Sequence, residues 1–171
     1  SIETTIKAIE LLYHALPDPR VIHLDMIFGL PGDSFESSLS SLDKLKKSFP
    51  LAEFFCSILH VLPGTSIWSL AQEECWMLQD AHGDHELIES PGFSASDMLA
   101  AKKTILGIDC LQSEFCRDWS VPLIQSSRVP FSQIANVAGR VCYSYGLHRH
   151  RSYKRIPFFQ QITEQFPNMF S

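Results

Sequence analysis

Residues 21–33 read VIHLDMIFGLPGD, a near-continuous apolar run that ends in a glycine-proline-glycine turn. Only His23 and Asp25 interrupt the run before Gly29. Runs without clean alternation suit a strand covered on both faces, as in parallel α/β sheets. The Gly29-Leu30-Pro31-Gly32 turn stops the strand, and Asp33 with Glu36 three residues on reads as a capping box opening a helix. Ligands of such folds bind where strands end and helices begin. A strand-turn-helix corner therefore constrains the chain to an α/β architecture and marks one end of it as the place for chemistry.

The flanking segments extend that pattern. Ile2, Ile6, Ile9, Tyr13 and Leu16 fall on one helical face, closed by Pro17 and Pro19. Phe35, Leu39, Leu42, Leu45 and Phe49 form a second apolar face. Lys44, Lys46 and Lys47 gather in its last turns, where cations complement the helix dipole. A second strand is expected over 52–62, stopping at Pro63-Gly64, with Thr65 or Ser66 capping a short helix. The two strands should be parallel, joined by a right-handed βαβ connection.

Beyond residue 78 the character changes. Residues 79–93 are polar and rich in turn formers, and read as a loop. Phe93, Ser94 and Asp97 form a hydrophobic staple with a capping box. A long helix is expected from there to about Trp119, carrying Met98, Ala101, Ile105, Ile108 and Phe115 on its face. A loop with Pro122 and Pro130 leads to a helix near 131–146 that uses Ile134, Val137, Val141 and Tyr145, and a last short helix is expected near 157–166. Two parallel strands are too few to stand alone, and Ser1 falls inside a helical pattern, so a segment of a longer protein is expected.

Composition narrows the partners. Fourteen Lys and Arg against 19 Asp and Glu give a net charge of −5, which argues against a general nucleic-acid surface. No apolar run approaches the roughly 20 residues of a membrane span. Five cysteines are scattered without a CxxC pair, which fits reduced thiols and a cytoplasmic location.

Candidate chemistry is sparse. GLPG lacks the further glycine of a dinucleotide fingerprint and the GK[ST] of a P-loop, and by residue type is a tight βα turn. Asp25 is the sharper feature, because a carboxylate within a buried strand has to be hydrogen-bonded or paired. It serves either a neighbouring turn or a ligand's hydroxyl or amino groups. His60 near the end of the second strand faces a barrel interior or fills a core. His82, Asp84, His85 and Glu86 form HGDHE, which lacks HExxH spacing and falls on a loop. His148, Arg149, His150 and Arg151 form a basic turn suited to phosphate or acidic partners, or simply to solvent.

HLDMIFGLPGDSFESSLSSLDKL followed by LHVLPGTSIWSLAQE resembles the later part of the radical SAM barrel. The look-alikes are radical SAM proteins with a cobalamin-binding domain, including magnesium-protoporphyrin monomethyl ester cyclase-like Fe–S oxidoreductases. The resemblance implies an α/β fold: a partial (β/α) barrel fragment of two parallel strands with flanking helices over 1–78, a linker over 79–93, and an all-helical C-terminal extension over 94–171. It implies that S-adenosylmethionine lies at the C-terminal strand ends. Ile27 and Gly29 would then meet the adenine, Asp25 the ribose or methionine part, and the backbone of His60, Val61 and Leu62 the adenine edge. The substrate would be a small molecule, and cobalamin a further cofactor. The family's CxxxCxxC motif, which holds its [4Fe–4S] cluster, is nowhere in the sequence, so the chain by itself would be inactive. The missing strands would leave a sheet edge open to a second copy. The rival expectation is a non-enzymatic α/β-helical binding or assembly module.

Overall fold

The computed structural model describes residues 2–18, 22–80, 83, 85–113 and 116–144. Expectations placed on Pro19, Val21, His82, Asp84, Phe115, Tyr145, the basic turn at 148–151 and the helix near 157–166 lie outside these residues, as do those on the side chains of Ile2 and Trp119. The chain is α/β: α1 (Ile2–Ala15), β1 (His23–Phe28), α2 (Phe35–Ser48), β2 (Glu53–Ile58), α3 (Ser66–Glu73), β3 (Met77–Gln79), β4 (Glu86–Glu89), then α4 (Ala95–Gln112), α5 (Arg117–Ser126) and α6 (Phe131–Ser144). β1 and β2 pair in parallel, with Asp25 opposite Phe55 and Ile27 opposite Ser57. No barrel closes among the described residues.

β1 is covered on one face only, which corrects the two-sided burial expected of its apolar run. Phe28 is buried and Leu24 and Met26 are half-buried, while His23, Asp25 and Ile27 are exposed. β2 repeats this, with Phe54 and Ile58 buried and Phe55 and Ser57 exposed. Side chains paired across a parallel ladder share a face. The ladder thus has one packed face and one open face.

The packed face joins the strands to the C-terminal helices. Ile22, Leu42, Phe49 and Phe54 share a core with Ile108, Leu111, Phe131, Ile134 and Ala138. α4 and α6 cross with almost no separation. A Cβ on Gly107 would lie 1.8 Å from the Ala135 carbonyl oxygen, and one on Gly139 would lie 1.6 Å from that of Lys103. Asp43 of α2 secures the start of α6, accepting from the Ser132 N–H and hydroxyl, both at 2.7 Å.

Four local expectations change. The α2 cap is Ser34, whose side chain accepts from Ser37 N–H while Ser37 answers to the Ser34 N–H. Asp33 supports this cap from one residue upstream and is not itself the cap. The segment expected as a loop over 79–93 carries most of an antiparallel hairpin, β3–β4. Its second strand also runs beside the end of β2: Val61 N–H donates to the His85 carbonyl at 3.0 Å, and Leu87 N–H to the Leu59 carbonyl at 2.9 Å. The long helix expected to Trp119 ends at Gln112, where Ser113 turns extended and its hydroxyl takes the Cys110 carbonyl at 2.7 Å. Pro122, expected in a loop, lies inside α5. The Thr65 cap on α3 and the Ser94–Asp97 capping box on α4 are present as expected.

Candidate functional site

The open face of the β1–β2 ladder begins at His23, whose Nδ1 is 3.5 Å from Glu53 and whose ring packs on Phe55 at 5.2 Å between centroids. One step along, Asp25 stands opposite Phe55, and the next pair is Ile27 with Ser57. Ile27 is 42% and Phe55 54% exposed. Asp25 is likewise exposed, so the burial argument for a compulsory partner does not apply to it. Period-2 alternation alone places Asp25 and Ile27 together here. A carboxylate beside an aliphatic and an aromatic side chain can accept from hydroxyl or amino groups of a molecule whose flat part rests on the apolar neighbours.

Gly29 follows Phe28 with φ +101°, a conformation that favours glycine. It is buried, and a Cβ there would lie 2.5 Å from Leu87 Cδ2. Its missing side chain therefore makes room for β4. The turn is further occupied on its outer side, where a Cβ on Gly92 would come 2.1 Å from the Asp33 carbonyl oxygen. Asp33 accepts from Ser34 N–H at 2.9 Å and from the hydroxyls of Ser38, at 2.8 Å, and Ser37. Partial burial opposes its ionisation, but these bonds prevail and hold the carboxyl below its usual range.

His60 and Leu62 are exposed beyond the end of β2, while Val61 is fully buried. His60 forms an antiparallel bridge with Glu86. The Val61 N–H is already committed to His85. The structure thus gathers Asp25 and Ile27 on one face, sets His60 and Leu62 at the same end of the ladder, and places Gly29 and Val61 within packing.

The remaining candidates separate. His85 stacks edge-on against Trp68 at 4.9 Å, and Glu86 pairs with Lys102. Cys110 and Cys116 approach to 4.0 Å between sulfurs. Hydrogen bonds to Cys116 and Cys142, with burial, push the Cys110 thiol far up, so it keeps its proton. Among the described residues, no three His, Cys, Asp or Glu side chains converge to hold a metal ion.

Sequence reasoning missed a second polar group at the opposite end of β2. Lys46 is 4% exposed. It donates to the Ala52 carbonyl at 3.0 Å, with its Nζ over the rings of Phe54 and Phe131 at 5.2 and 5.3 Å. Burial pulls its ammonium down to about 8, against a raising effect from Glu53. The signal was available: 35, 39, 42, 46 and 49 share helical spacing, so Lys46 belongs to the apolar stripe of α2. Arg117 pairs with Glu53 beside it.

No protein-family model, curated protein or solved structure matches the chain.

Proposed function

We propose that the β1–β2 ladder is the S-adenosylmethionine wall of a radical SAM oxidoreductase of which this chain is the C-terminal part. The observation that supports this reading is the pairing of Asp25 and Ile27 on the open face of two in-register parallel strands, at the end marked by the Gly29 and Pro63-Gly64 turns. Asp25 would take the ribose hydroxyls or the amino group. Ile27, with Phe55 beside it, would flank the flat base. His60 and Leu62 would offer the edge, while Gly29 would shape the turn through its packing on Leu87.

A [4Fe–4S] cluster does not fit the described residues, which lack a converging ligand set, and the sequence lacks CxxxCxxC. Cluster ligation, and the radical chemistry that depends on it, belongs in this reading to an upstream segment. The substrate would be a small molecule chosen by the rest of that barrel, and a cobalamin domain would also lie upstream.

Calorimetry with S-adenosylmethionine tests the reading on the protein extended through its upstream coding sequence. Binding that weakens at least tenfold in Asp25→Ala supports it. An upstream sequence without CxxxCxxC, or no binding with a protein partner retained instead, favours the assembly-module alternative.

A further inference from the structure

A cleft of about 280 Å³ opens where β2 begins, at the end of the ladder away from the glycine turns. Leu111, Val121 and Ile124 give it apolar walls, and Lys46, Glu53 and Arg117 give it charge. We propose that this cleft binds a small monocarboxylate with an apolar body, such as a medium-chain fatty acid. The inference is independent of the S-adenosylmethionine reading, which concerns the other end of the strands.

The argument starts from Lys46. An ammonium withdrawn from water needs acceptors for three N–H groups. Among the described residues, the Ala52 carbonyl supplies one, and Phe54 and Phe131 supply only their ring faces. A carboxylate in the cleft fills that deficit with a charge-assisted hydrogen bond. Arg117 adds a second cation; its Nη2 already meets Glu53 and the Gln112 carbonyl, the latter at 3.2 Å. Lys46, Arg117 and Glu53 together carry one net positive charge, which matches a monoanion better than a phosphate dianion.

The dimensions set the body. An apolar cavity of about 150 Å³ holds one benzene ring, so this space takes a chain of about eight carbons with its head group. The apolar walls come from α4, through Leu111, and from α5, through Val121 and Ile124. Burial lowers the Lys46 ammonium only to about 8, so it stays largely protonated at neutral pH.

The test is calorimetric titration of the chain with sodium octanoate, 1-octanol and octylammonium chloride. Octanoate should bind with a Kd tighter than about 1 mM. It should bind at least tenfold tighter than octanol, and octylammonium weakest of the three. Lys46→Met should lose at least tenfold in octanoate affinity and keep octanol binding. Val121→Trp, which fills the cleft without touching the charges, should abolish both. Octanoate binding no tighter than octanol overturns the proposal, as does wild-type octanoate affinity in either variant. If Lys46→Met fails to fold, the octanoate-to-octanol ratio and Val121→Trp still decide the matter.

Discussion

The side-chain amide of Gln112 takes both backbone groups of Phe54, accepting its N–H at 2.8 Å and donating to its carbonyl at 2.9 Å. Glu53 and Leu59 turn their N–H groups toward β1, so Phe54 faces the other edge of the ladder. Gln112 therefore stands where a third strand would pair. Just past β2, β4 supplies partners to Leu59 and Val61. Replacing Gln112 with Met leaves two backbone groups short of partners and should cost about 2 kcal/mol. Urea denaturation should show this as a lower midpoint with an unchanged slope.

The crossing of α4 and α6 should be the least forgiving contact in the chain. Gly139→Ala drives a methyl group against the Lys103 carbonyl, where neither helix backbone can yield cheaply. The expected loss is about 3 kcal/mol. Val137→Ala, a few residues away on the same helix, removes volume without forcing the helices apart. Thermal melts should place Gly139→Ala below Val137→Ala.

How much of this was legible in the sequence depends on how local each cause is. The α2 stripe, the starts of α4 and α6 and the parallel pairing of the two strands follow from periodicity and turn residues and emerge where expected, while α4 stops early at Gln112 and β2 is confined to Glu53–Ile58. The exposed side of β1 does not, because Ile27 is as apolar as its buried neighbour Phe28, and it stays open because, among the described residues, no element covers it. β3 and β4 are three and four residues long, too short for a period-2 signal. β4 is held by contacts distant in sequence, Leu87 against Gly29 and hydrogen bonds with Leu59 and Val61. Ser113 stops α4 without a glycine or proline to announce it. At the candidate site, Asp25 and Ile27 could be paired from spacing alone, whereas the role of Gly29 depends on a residue 58 positions away.

Asp33 gives a pH test at the start of α2. Its carboxyl is held below its usual value by hydrogen bonds from Ser37, Ser38 and Ser34. A depressed carboxylate contributes stability above its unfolded pKa and loses it as the pH falls through the folded value. Asp33→Ala should cost about 1 kcal/mol at pH 7. Unfolding measured from pH 7 down to pH 2 should show the gap between wild type and variant closing below the usual aspartate range near 3.8.

Lys46 has the same sign of pH dependence from a different cause, since burial disfavours its charge where hydrogen bonds favour that of Asp33. Its folded ammonium titrates at about 8, below the ordinary 10.5, so the unfolded chain binds more protons between those values. Stability rises with pH in that window. The stability of wild type minus that of Lys46→Met should climb by about 3 kcal/mol from pH 7 to pH 11. Groups common to both proteins cancel in this difference, and chemical denaturation at fixed pH steps checks it.

The central claim concerns the open face of the ladder, and reductive cleavage of S-adenosylmethionine tests it most directly. The protein carrying its upstream segment, reconstituted with iron and sulfide and reduced with dithionite, should release 5′-deoxyadenosine. Asp25→Ala and Ile27→Lys should each raise the KM for S-adenosylmethionine about tenfold, a change of about 1.4 kcal/mol. Absence of 5′-deoxyadenosine, or an unchanged KM in both variants, would contradict the account.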